Sequence, residues 1–155
     1  TPYFSPADRG SLIGLTIATD RAPYFSAVME GVTMHIRENA DVFRDMGCDI
    51  RRVFVGGGGT HMRHWMQMLA TVLDREVEIL QCPDASTLGA ALIALAGTEP
   101  QLDLTELAER AVQTCGVIRP QKEYTQRYEE LFSIYQSCYQ AVHQVNEQLS
   151  AFLRS

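Results

Sequence analysis

The strongest claim to chemistry belongs to the four consecutive glycines Gly56–Gly59 in VFVGGGGTHMRHWMQ, residues 53–67. Glycine loses the most backbone freedom on folding and buries almost no side chain, so four in a row between a strand-like run and a helix-like run need a reason. Two reasons fit. Without Cβ atoms, a ligand can lie directly on the main chain, where amide N–H groups and the dipole of a following helix favour polar or anionic groups; a nucleotide suits that geometry. Alternatively, the run is a tight turn that needs positive φ. It is neither a Walker A loop, since no GK[ST] follows, nor a GxGxxG fingerprint.

Other reactive residues make a weaker case. His61 and His64 stand three apart at a helix start, but a metal site needs a third ligand and none is near in sequence, so they read as surface or cleft-lining side chains. Asp41, Asp45 and Asp49 read as a solvated face. No acid/base pair or activated nucleophile is recognisable, so no catalytic residue and no metal ligand is assigned. Cys48, Cys82, Cys115 and Cys138 lie far apart without a CxxC pair, the usage of reduced thiols in a cytoplasmic protein.

The 155 residues suit one domain or a piece of a larger protein, with 46% hydrophobic and 21% charged residues in a globular balance. A net charge of −6 argues against a nucleic-acid or anionic-membrane partner. No apolar run is long enough to span a bilayer, and TPYFSPADRG lacks the pattern of a signal peptide.

The elements expected to position the glycines follow from periodicity. Ser11–Ile17 reads as a strand. Phe25, Val28, Met29, Val32, Ile36 and Phe43 share one face of a long helix that stops near Gly47. Arg51–Val55 reads as a buried strand. After the glycines, Thr60 is placed to cap a helix whose inward face is Met62, Trp65, Met66, Leu69, Val72 and Leu73. Glu76–Leu80 reads as a second strand. Asp84 or Ser86 caps the next helix, whose body LGAALIALAG is apolar nearly all round and so expected to be buried. Leu102–Thr114 reads as a further helix. A last long one runs from Glu123 to about Leu153 with the stripe Tyr124, Tyr128, Leu131, Tyr135, Cys138, Val142, Val145, Leu149 and Phe152. The order predicts an α/β fold with parallel strands and crossover helices.

Several motifs in this order resemble the FGGY carbohydrate kinases: ADRGSLIGLT, DRAPYFSAVMEGV, the glycine segment with Trp65 and Gln67, DASTLGAALIA and the closing PQKEYTQRYEELFSIY. Within that family the chain looks most like xylulose kinases. The resemblance implies an actin/ribonuclease H-like ATPase domain on the nucleotide side, spanning residues 1–155 and ending in the long helix. The first strands of that domain, its phosphate-contacting Gly-Thr loop and the catalytic N-terminal domain would precede Thr1. It further implies Mg2+ and ATP as cofactors, with Gly57, Gly58, Gly59 and Thr60 lining the adenosine site and Met62 stacking on adenine. The sugar or polyol would be bound mainly through the missing N-terminal domain. Thr60 stands where the family usually has Ala, Met62 where Ser or Asn is common, and Thr71 in place of a frequent Asp. Arg9 matches an RG of the family, as a reach toward a carboxylate or the other domain, or as a structural ion pair. The alternative function is a non-catalytic remnant that acts as an assembly or interaction module, and a homo-oligomer fits either reading.

Overall fold

Alternation puts Val53 and Val55 on one face of their strand and Val77 and Ile79 on the same face of the next, and both pairs pack under one helix. The computed structural model that shows this describes residues 5–99 and 101–154. It divides into two units: Arg51–Gln121, and the residues up to Ile50 together with those from Lys122 onward.

The Arg51–Gln121 unit carries the sheet. Strand β1 (Val53–Val55) runs parallel to β2 (Val77–Leu80), in the register Val53↔Val77 and Val55↔Ile79. Between them lie a turn of 3-10 helix at Gly58–His61 and helix α2 (Arg63–Leu73). Met66, Leu69 and Ala70 of α2 bury against Val77, with Val53, Val55, Trp65, Leu73, Ile79 and Ile118 around them. Burial of side chains of this size contributes roughly 1.5–3 kcal/mol each. Helix α2 ends at Asp74, which takes the left-handed conformation at φ 50 and lets the Arg75 amide bond back to the Ala70 carbonyl.

Helix α1 (Arg21–Asp45) and helix α5 (Lys122–Phe152) make up most of the other unit. Asp20 caps α1 by accepting from the Ala22 amide, and Gly47 at φ +84 follows its end, as the sequence predicts. Arg37 joins the helices: its guanidinium bonds both Glu129 carboxylate oxygens at 2.7 and 3.1 Å, reaches Asp41, and lies 5.0 Å over the Phe132 ring. Near the start of the chain, Asp8 accepts from Tyr139 at 3.0 Å and pairs with His143 at 3.1 Å.

Several expectations are corrected. Ser11–Ile17 is not a strand: Gly14 sits at φ +88, and Thr16 and Thr19 turn the chain with hydrogen bonds of 2.9 to 3.2 Å. The helix predicted over Leu102–Thr114 stops at Ala111 as α4 (Leu104–Ala111), and Thr114–Ile118 forms strand β3 instead. β3 pairs antiparallel with β2, so the sheet is mixed, in the order β1-β2-β3. Helix α3 (Ala85–Thr98) is capped by Asp84, but none of its residues is fully buried; Ile93 and Leu95 face solvent. The predicted inward stripe of α1 is largely exposed, at Phe25, Val28, Val32, Ile36 and Phe43; its buried residues are Thr33, Met34 and Glu38. In α5 the buried positions are Phe132, Asn146 and Ser150, while Tyr124, Val145, Leu149 and Phe152 of the predicted stripe are exposed. Among the described residues Arg9 bonds the carbonyls of Pro6, Ala7 and Asp8 rather than a carboxylate, so the structural ion pair is not formed there.

Candidate functional site: the glycine loop

The loop leaves the carboxyl end of β1, where ligands sit in open α/β sheets. Each glycine has its own surroundings. Gly56 packs: a Cβ built on it would stand 3.3 Å from Leu80 Cδ1 and 3.7 Å from both the Ala85 methyl and the Pro83 carbonyl. Gly57 turns the chain at φ +89, a conformation that side chains other than glycine's rarely adopt. Gly59 lies under Trp65, whose Cζ3 would be 2.9 Å from an added Cβ. Gly58 has neither reason: its φ is not positive, and an added Cβ would meet nothing within 4 Å.

The two readings left open by the sequence therefore apply to different residues. The tight turn accounts for Gly57, and packing accounts for Gly56 and Gly59. Bare main chain faces open space at both Gly57 and Gly58, and of the four only Gly58 has neither a positive φ nor a close neighbour.

Thr60 does not cap α2. It lies in the 3-10 turn, where its hydroxyl donates to the Gly57 carbonyl at 2.7 Å and its amide to the same oxygen at 3.2 Å. Helix α2 begins at Arg63, with Met62 at the N-cap position and no side-chain cap. Met62 is 47% exposed, so it does not belong to the inward face assigned to it. Trp65 belongs to the core periphery and also roofs Gly59. His61 and His64 are exposed, and no cluster of three His, Cys, Asp or Glu side chains able to hold a metal exists among the described residues.

Two residues around the loop have roles that periodicity did not reveal. Gln67 Nε2 donates to the Arg119 carbonyl at 2.7 Å, and Thr71 Oγ1 accepts from the Gln121 amide at 3.2 Å while donating to the Gln67 carbonyl at 2.8 Å. One helical turn apart, they fasten the chain leaving β3 to α2. Thr71, which replaces a frequent Asp, thus has a structural task.

Beside Gly56 lies an apolar cleft of about 180 Å3, lined by Leu80, Cys82, Ala85, Leu88, Ala108 and Val112 among others. Nothing charged lines it, so it offers no counter-charge to a phosphate. Asp84, at the start of α3, has its carboxyl held below the ordinary aspartate range by the Thr87 amide and then the Thr87 hydroxyl. Glu78 is likewise lowered, by its hydrogen bond from Arg52.

Comparison with known proteins agrees with the loop and its frame. The chain is 31% identical to the xylulose kinase of Bacillus subtilis over 155 residues, covering 100% of this chain and 31% of that protein. A solved structure from Brucella ovis, described as a xyloylose kinase, matches with a TM-score of 0.83 and 29% identity over 94% of this chain and 30% of the other. The xylulose kinase from Rhodospirillum rubrum matches with a TM-score of 0.79 and 30% identity, over 92% of this chain and 29% of the other. The chain thus spans about a third of the length of the relatives it matches. The family described as "FGGY family of carbohydrate kinases, C-terminal domain" matches residues 1–98, which hold β1, the glycine loop, α2, β2 and the capped body of α3. With sequence, fold and family profile in agreement, this chain belongs to the FGGY carbohydrate kinases and carries their C-terminal domain.

Proposed function

We propose that this chain is the nucleotide side of an ATP-dependent sugar kinase, an actin/ribonuclease H-like ATPase half-site in which Gly57, Gly58, Gly59, Thr60 and Met62 bound the adenosine. The observation that carries this reading is Gly58, the one loop glycine that neither φ nor packing explains, at the carboxyl end of a parallel strand. Bound there, ATP would supply the γ-phosphoryl for transfer to a sugar or polyol hydroxyl, and Mg2+ would accompany its phosphates. This chain's own residues present bare main chain at Gly58 and an exposed thioether at Met62 to the base or ribose. Among the described residues there is no three-ligand metal cluster. In this reading the N-terminal domain of the full-length enzyme supplies sugar binding and the catalytic base, and the phosphate-contacting Gly-Thr loop comes from the C-terminal domain's own first strands. The names of the relatives favour a xylulose-like substrate.

The test is Gly58→Val in the full-length enzyme. The Michaelis constant for ATP rises about tenfold or more, as expected for a displaced contact, while that for sugar is nearly unchanged. A folded variant with normal ATP kinetics would remove the adenosine from this loop. A second reading, a non-catalytic interaction module, is favoured by the exposed apolar stripe of α1. It requires a native protein without sugar-dependent ATP turnover.

A further inference from the structure

The geometry points to a positioning role for the Thr60 hydroxyl, which holds the glycine loop in its binding-competent shape through the Gly57 carbonyl, beside the place of Thr60 at the edge of the adenosine site. This rests on the nucleotide reading above.

The argument starts from entropy. Four consecutive glycines have far more backbone conformations than any other four residues, and a loop that samples them binds with an affinity reduced by the fraction of time it spends in the right one. Something must therefore restrict Gly56–Gly59 before ligand arrives. Packing fixes Gly56 against Leu80 and Ala85, and Trp65 covers Gly59. Between them, Gly57 at φ +89 and Gly58 have no side chain within 4 Å of where a Cβ would lie. What spans that gap is Thr60: its hydroxyl and its amide converge on the Gly57 carbonyl at 2.7 and 3.2 Å, closing the turn over Gly58. The hydroxyl is the part that the family's usual Ala lacks. A threonine that returns its hydroxyl to a carbonyl three residues back is a common local bond. Here the carbonyl it holds belongs to the positive-φ glycine that sets the direction of the loop.

The same bond assigns the Thr60 proton. With its one O–H directed at Gly57, Thr60 has no donor left for a ligand; only its lone pairs remain.

The test compares Thr60→Val, Thr60→Ala and Thr60→Ser in the full-length enzyme, with Gly58→Val alongside. Valine keeps the shape and loses the hydroxyl; serine keeps the hydroxyl. The expected result is a three- to tenfold rise in the Michaelis constant for ATP in the valine and alanine variants, the size of one hydrogen bond's net effect on the loop equilibrium. kcat and the Michaelis constant for sugar stay near wild type, and serine restores ATP binding. Hydrogen exchange of the ligand-free enzyme gives a second reading. The Thr60 and Met62 amides, which bond the Gly57 and Gly59 carbonyls, should exchange faster in Thr60→Val, with those in the middle of α2 unchanged. If Gly58→Val weakens ATP but Thr60→Val and Thr60→Ser both match wild type in kinetics and exchange, the Thr60 role is overturned and the nucleotide site stands. If neither Gly58→Val nor Thr60→Val affects ATP, the nucleotide site itself falls and the Thr60 role with it. A fall in kcat for serine and valine alike would show a steric effect of the position and also overturn the proposal.

Discussion

Four identical residues in a row have four different environments. Gly57 is a conformational requirement, Gly56 and Gly59 are steric ones, and Gly58 is free of both. Substitution should separate them. Gly59→Ala brings a methyl to 2.9 Å from the Trp65 ring, and that ring borders the core of the sheet unit, so the two must move apart. Overpacking of this kind costs roughly 1–3 kcal/mol. Thermal unfolding should show a lowered Tm for Gly59→Ala, whereas Gly58→Ala should melt like wild type, because its methyl enters open space. Equal Tm values for the two would contradict the packing described. The sequence alone made the loop legible as a candidate site but not this division. Which glycine does what depends on the Trp65 ring, on Leu80 and on Pro83, and these reach the loop only through the fold.

Among the secondary elements, those set by local signals were legible and those set by distant partners were not. α1 and α5 follow from long helical periodicity, and the Asp84 cap of α3 from residue type, whereas the Asp20 cap of α1 emerged only with the fold. β3 was missed because Gly116 interrupts its pattern and because its register comes from β2, in which Leu80 faces Thr114 across a bulge. The helical faces were misjudged for a related reason: an apolar stripe predicts burial only where a neighbour covers it. The Thr71–Gln121 bond makes a prediction at this scale. Thr71 is buried, and Thr71→Val removes the acceptor from the Gln121 amide without changing volume. Leaving that donor unsatisfied costs roughly 1–3 kcal/mol, read as a lower urea midpoint and faster amide exchange in β3. Unchanged exchange there would show that β3 is held by its ladder alone. The α3 cap adds a pH dependence. Since the Asp84 carboxyl is lowered in the folded chain, its contribution is present above the ordinary aspartate range and is lost as pH falls through its lowered value. Asp84→Asn should therefore be less stable than wild type at neutral pH, with the difference shrinking in acid. A pH-independent difference would mean that the cap does not act through its charge.

At the scale of the whole molecule, the proposed function gives the chain one side of a two-part reaction. It should not phosphorylate any sugar alone; a coupled assay with pentoses, hexoses and polyols, on a preparation free of host kinases, should read at blank. Sugar-dependent turnover would place the missing base within these residues. The exposed row Phe25, Val28, Val32, Ile36 and Phe43 on α1 predicts self-association of the isolated chain. Sedimentation should show mass rising with concentration, and Val32→Glu should lower it. A monomer at all concentrations would show that the row is tolerated in water.

The division into two units also carries a timetable for biosynthesis. The sheet unit is continuous from Arg51 to Gln121, so everything it needs emerges from the ribosome in one stretch. The other unit is split around it, and its Arg37–Glu129 clasp joins residues 92 positions apart. At roughly 5–20 residues per second, Arg37 waits about 5–20 s for its partner to be made. For that interval α1 is a nascent helix with no α5 beside it, while the glycine loop, α2 and the sheet are already able to form. Of the two units, the one whose helix is made earlier is then the later to close, and a chaperone that binds apolar helices would find its target in α1 rather than in the sheet.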